Sequence, residues 1–230
     1  MNKVAKESRQ IEAPVVIFVG AHPDDPELGC GGTIADFASK GYDIQIIYVT
    51  KGGKGKVPGD GPEVRVKESI KACAKLGVNE KKIFFGEFKD TRVPDSFDTI
   101  KFLEKFYHDV KNVYAVFIPS LHEVHQDHRV VAINSITAFR YVPRIFAYES
   151  PSTTAEFRPT SFVDVTGTIK TKWRALKCHK SQIAQHKMYM EYRAMLCISS
   201  FRGRQIGVKY AEAFETIKCL IEPGLCFGKV

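Results

Sequence analysis

Residues Val15–Gly20 read Val-Val-Ile-Phe-Val-Gly, an apolar run with no polar residue in alternation. A strand of this kind must be covered on both faces, as the central strands of a parallel sheet are. The run is far shorter than the ~20 residues that cross a bilayer. Residues 42–50 (YDIQIIYVT) repeat the signal with β-branched and aromatic residues. Between the two, residues 29–40 read as a glycine-rich turn entering a helix. Further on, residues 64–76 suit a helix, with Gly77 where a C′ glycine belongs. Residues 82–85 suit a short strand. Asp95 or Ser96 can cap a helix running to about Val110. Residues 114–119 and 145–148 read as strands around a helix at 126–139, which Pro143 follows. Strands alternating with helices predict an α/β fold: a Rossmann-like, mostly parallel sheet with helices on both faces.

After Ser150 the texture changes. Residues 162–165 suggest one more strand, residues 168–192 a long polar helix, and residues 210–217 another helix. A chain of 230 residues fits one α/β domain. We therefore read 1–230 as a single domain, with a βαβ core at about 13–150 and a C-terminal cap at about 151–230.

Charge and cysteine usage narrow the function classes. Lys and Arg number 34 against 26 Asp and Glu, a net charge of +8. The basic residues are spread along the chain, with one dense stretch from Lys51 to Lys56, so no nucleic-acid footprint is expected. The first 14 residues carry charges without an apolar core, unlike a signal peptide. The six cysteines form no C-x-x-C pair and read as small apolar residues in a reducing compartment. A cytoplasmic protein with no stable membrane insertion is expected.

In an open parallel sheet, ligands bind beyond the carboxyl ends of the strands. After the first strand comes His22-Pro-Asp24-Asp25-Pro-Glu27; after the fourth comes His122-Glu-Val-His125-Gln-Asp127-His128. Two segments dense in imidazole and carboxylate on one sheet edge are what a mononuclear metal site requires. Catalytic zinc takes three nitrogen or oxygen ligands and leaves a place for water. His22, Asp25 and one histidine of the second segment supply such a set. Asp24 is then a spare carboxylate placed as a general base. Nucleotide motifs fail: Ile34 stands where a dinucleotide fingerprint needs its third glycine, and residues 52–56 lack P-loop spacing.

The segment from His22 to Thr33, HPDDPELGCGGT, closely resembles the opening motif of the PIG-L/LmbE-like zinc-dependent N-acetylglucosamine deacetylases. His125-Gln-Asp-His128 resembles their second motif, and Arg65-x-x-Glu68 a third. Residues 179–182 (HKSQ) and 210–214 also fit. The resemblance implies zinc on His22, Asp25 and His128, with Asp24 as general base. It implies that His125 stabilises the oxyanion or donates a proton, that Asp127 orients His125, and that Arg65 lines the substrate pocket. The implied substrate is an acetylated amino sugar, and the implied assembly a homo-oligomer, trimer or hexamer. Two alternatives remain at this point: an amidase for another conjugate such as a thiol, and a non-catalytic metal- or sugar-binding module. His108, His122 and His186 read as helix-end or surface residues, His179 as either near the site or a brace, Glu68 as paired or exposed. Trp173 and Phe214 read as core.

Overall fold

The computed structural model describes residues 13–53, 61–108, 110 and 112–221. Seven strands form one sheet: β1 Val15–Gly20, β2 Asp43–Thr50, β3 Ile83–Phe88, β4 Val113–Pro119, β5 Arg144–Tyr148, β6 Ser161–Asp164 and β7 Ala211–Cys219. Their order is β3-β2-β1-β4-β5-β7-β6. The first five pair in parallel, and β7 runs antiparallel to both β5 and β6. The order reverses between β1 and β4, which opens a crevice beyond their carboxyl ends.

The apolar run of β1 explains the layering. Val15, Ile17 and Val19 join a core with Leu103, Val131 and Phe139. Val16 and Phe18 point the other way, to Cys30, Ile34, Ala72 and Leu76. Period-two alternation in a strand apolar on both sides therefore builds two cores. The helices α3 (Phe97–His108) and α4 (Gln126–Ala138) cover the first, and α1 (Asp25–Ser39) and α2 (Pro62–Lys75) cover the second. Each fully buried Ile or Phe of this kind contributes roughly 1.5–3 kcal/mol.

The predicted sheet and its βαβ order hold, but three expectations about elements change. The glycines at 29, 31 and 32 lie inside α1, which starts at Asp25, rather than in a turn before it. A Cβ on Gly29 would lie 2.3 Å from Tyr148 Cδ2, and one on Gly32 2.6 Å from Val165 Cγ1. These glycines let α1 lie flat against its neighbours. The long helix expected at 168–192 is broken into α5 (Ile169–Leu176), α6 (Lys180–Ile183) and a 3-10 turn at Met188–Met190. His179 and Ser181 break it by turning inward: His179 Nε2 lies 3.1 Å from Glu27 Oε1, and Ser181 donates from N and Oγ to Glu68. Residues 210–217, expected as a helix, are strand β7; the last helix is α7 (Tyr192–Gln205), which sequence reasoning missed.

Among the described residues no helix is long and apolar enough to cross a membrane. Most of the basic loop at 51–61 lies outside the described residues.

Candidate metal centre and active-site pocket

The turn after β1 carries His22, Asp24 and Asp25 to the crevice, the loop after β4 carries His125, and the first turn of α4 carries His128. Asp25 opens α1, and His125 is the N-cap of α4. Asp24 has φ 129°, a conformation that L residues rarely adopt. This turn lets two successive carboxylates line the same pocket. Strain of this kind, of order 1–3 kcal/mol, concentrates at functional sites.

Three donor atoms converge. His22 Nδ1 lies 3.2 Å from His128 Nε2 and 3.6 Å from Asp25 Oδ2, and His128 Nε2 lies 3.3 Å from Asp25 Oδ2. Four ligands about 2.0–2.1 Å from a tetrahedral metal stand about 3.3–3.4 Å apart, so this triangle has the size of one face of a zinc site.

The outward nitrogens explain why the inward ones offer lone pairs. His22 Nε2 lies 3.2 Å from both Asp127 Oδ2 and Asp90 Oδ1. His128 Nδ1 lies 3.3 Å from Glu123 Oε2, though out of line for a good hydrogen bond. Carboxylates behind the rings place the ring protons outward and leave three electron pairs facing one point. Such an arrangement is repulsive unless a proton or a metal cation stands there. The donor set therefore fits a metal ion.

The titration behaviour agrees. Burial works against charging His22 and His128, yet the surrounding carboxylates raise both, His128 to about 9. Burial likewise opposes ionisation of Asp25, but the two imidazoles hold it well below the usual carboxylate range. Asp24 differs: burial pushes its carboxyl up, against the pull of Arg65. Arg65 Nη2 is 3.2 Å from Asp24 Oδ2, and the same nitrogen donates to the Pro23 carbonyl.

His125 is half-buried, and burial, with its two histidine neighbours, lowers its pKa. Its Nδ1 accepts a hydrogen bond from the Asp127 backbone N–H at 3.2 Å. A backbone N–H can only donate, so the proton of the neutral ring sits on Nε2. The ring thus offers the pocket an N–H donor.

Here one expectation is corrected. The Asp127 carboxylate does not orient His125. It bonds to His22 and to the backbone N–H groups of Thr91 (2.6 Å) and Val93 (3.3 Å), because it is fully buried beneath the loop after β3. Asp127 meets His125 through its main chain alone, in the N-cap geometry of α4.

His22, Asp24, Asp25, Arg65, His125 and His128 line one cavity of about 720 Å³. That volume suits a mono- or disaccharide-sized ligand. Glu68 is buried on Ser181 rather than exposed, and His179 is fully buried on Glu27. His122 is turned toward Glu215 at 3.7 Å, away from the cluster. His186 sits exposed in a turn with φ 52°, not on a helix face. Two residues at the site were missed. Glu123 lay in view between His122 and His125, with no periodicity to show which way it points. Asp90 lies in a loop, and no local pattern announces it.

A family model described as "PIG-L: GlcNAc-PI de-N-acetylase" matches residues 17–139. The chain is 38% identical over 175 residues to a protein of Escherichia coli (strain K12) described as "Uncharacterized deacetylase YaiS", covering 72% of this chain and 90% of that one. It is 26% identical over 224 residues to the diacetylchitobiose deacetylase of Thermococcus kodakarensis, covering 88% and 82%. Among solved structures, the N,N'-diacetylchitobiose deacetylase of Pyrococcus horikoshii superposes with a TM-score of 0.78 at 24% identity, covering 94% of this chain and 89% of that one. At that identity the likeness shows the fold alone.

Proposed function

The chain belongs to the PIG-L family of de-N-acetylases, and on that premise we propose that it removes the N-acetyl group from an N-acetylglucosamine-type amino sugar or its conjugate. The metal is zinc, held by His22, Asp25 and His128. The observation that carries this reading is the triangle of three inward lone pairs, 3.2–3.6 Å on a side, beside the spare carboxylate Asp24.

When bound, zinc acts as a Lewis acid toward the acetamide carbonyl and lowers the pKa of a coordinated water towards ~7. The side chains of the pocket do the rest. Asp24 takes a proton from the attacking water. The same carboxyl can then pass that proton on to the leaving amine. Arg65 fixes the Asp24 carboxylate through its contact at 3.2 Å. His125 presents its Nε2–H to the oxygen on which negative charge develops, a contribution of about 2.7–4 kcal/mol. The general base is intact, which favours an enzyme over a silent binding module.

A homo-oligomer, trimer or hexamer, and a cytoplasmic location complete the proposal; the first rests on the family resemblance and the second on the cysteine usage.

Metal content and acetate release test the reading together. Wild-type protein is expected to carry about one zinc per chain and to release acetate from N-acetylglucosamine or diacetylchitobiose. Asp25→Ala is expected to lose the zinc. Asp24→Asn is expected to keep it while kcat falls at least ~100-fold. Near-normal turnover by zinc-loaded Asp24→Asn removes Asp24 from the role of base. A wild type that takes up no metal removes the hydrolase mechanism.

A further inference from the structure

A second cavity, of about 150 Å³, lies beside the metal centre. It shares Leu28, Ser150, Pro151 and Tyr189 with the larger pocket, so these four residues stand between two neighbouring spaces. The rest of its wall comes mainly from α5, α7 and β7, beyond the stretch that the family model matches. Leu176, Met195 and Ile198 give it an aliphatic lining.

Four charged residues reach this wall, and they are paired with one another. Arg202 Nε donates to Glu149 Oε2 at 2.8 Å, and Lys172 Nζ to Glu212 Oε1 at 2.6 Å. The charges cancel in pairs, so the cavity offers little to an ionic ligand. An uncharged apolar group entering it loses little polar hydration and gains aliphatic contact. A cavity of about 150 Å³ with aliphatic walls is large enough for a benzene-sized ring.

We propose that this cavity is a subsite for an uncharged, ring-sized apolar group carried by the amino-sugar substrate. The proposal rests on the deacetylase reading for the word substrate, and on the cavity itself for the apolar group. The group enters across Tyr189 and Leu28, attached either on the acyl side, in place of the acetyl methyl, or on the glycosidic side.

Binding and turnover separate the possibilities. Methyl and phenyl β-D-glucosides contain no amide, so their binding to the zinc-loaded protein by calorimetry does not depend on hydrolysis. For the glycosidic side, the phenyl glucoside is expected to bind at least ~tenfold tighter, a modest share of what burying a ring can supply. For the acyl side, kcat/KM for N-benzoylglucosamine is expected to exceed that for N-acetylglucosamine by at least ~tenfold. Ala194→Trp on α7 fills the cavity, and Ile198→Glu, at a position 41% exposed and therefore tolerant, places a charge at its wall. Either preference is expected to fall to about one in both variants.

A preference on one side only identifies the point of attachment. Ratios of about one on both sides overturn the subsite, as does a preference that survives both variants. A phenyl preference that the variants abolish, in a zinc-loaded protein that hydrolyses no amide, upholds the apolar subsite and overturns the deacetylase reading instead.

Discussion

Each metal-facing imidazole has a carboxylate behind it, Asp127 and Asp90 for His22 and Glu123 for His128. Glu123 also accepts from the hydroxyls of Ser150, Ser152 and Thr153, which fix its direction. Glu123→Gln is therefore expected to weaken zinc binding about 10- to 100-fold, read by competition with a chelator of known affinity. His125→Ala is expected to act differently: zinc affinity stays close to wild type while kcat falls about 10²–10³-fold, the loss of one oxyanion donor. If His125→Ala strips the metal, the ring is a ligand and not a donor. His22, Asp24, Asp25 and His128 could be singled out as candidates because imidazoles and carboxylates are concentrated in two short segments. The supporting carboxylates could not, because what gives Asp90 and Glu123 their place is the approach of loops distant in sequence. Burial also explains Asp127: the family resemblance implied that it orients His125, while its buried side chain turns to His22.

The elements show a similar division. Strands β1, β2, β4 and β5 were legible from apolar runs suited to a sheet covered on both faces, and edge strand β3 from its short Ile83–Phe85 stretch. Strand β7 was not. Its opening, Ala-Glu-Ala-Phe, has helix-forming residues, and tertiary context overrides that preference. Alternation explains the override: Glu212 and Phe214, two residues apart, share the face toward α1, where Phe214 packs on Phe117 with centroids 5.1 Å apart and Glu212 reaches the α1 backbone. There Glu212 accepts from Gly32 N, Thr33 N, Thr33 Oγ1 and Lys172 Nζ. Glu212→Ala leaves Lys172 as a buried unpaired charge, at 3% exposure, and is expected to cost about 3–5 kcal/mol in chemical denaturation. The double variant Lys172→Met/Glu212→Leu is expected to recover much of that loss. Equal losses in the single and double variants would mean that the acceptor for α1, not the ion pair, is what matters.

At the scale of the whole molecule, the proposed metal centre spans the point where strand order reverses, with Asp25 at the start of α1 facing His128 in α4. A cation bound only by the folded chain stabilises it by about 2.7 kcal/mol at 100 times its Kd. For a protein of this size that corresponds to a rise in Tm of roughly 5–11 °C. Scanning calorimetry before and after chelation is expected to show a shift of this order, restored by zinc and absent in Asp25→Ala. An unchanged Tm on removal of bound metal would place the ion outside the folded framework. The segment after residue 150, expected as a cap, contributes β6 and β7 to the sheet itself.

That contribution has a consequence in time. Strand β6 pairs with β7 and not with β5, so residues 161–164 have no place in the sheet until residues 211–219 are available. On the ribosome, the four residues that define the metal centre and its base, all at or before His128, emerge long before this last strand. The nascent chain can therefore gather its metal ligands while β5 still presents an unpaired edge and the wall of the second cavity does not yet exist. The final insertion of one strand both covers that edge and completes the wall of the second cavity. A nascent chain stalled before residue 211 therefore carries every residue of the proposed metal centre but lacks the strand that walls the second cavity.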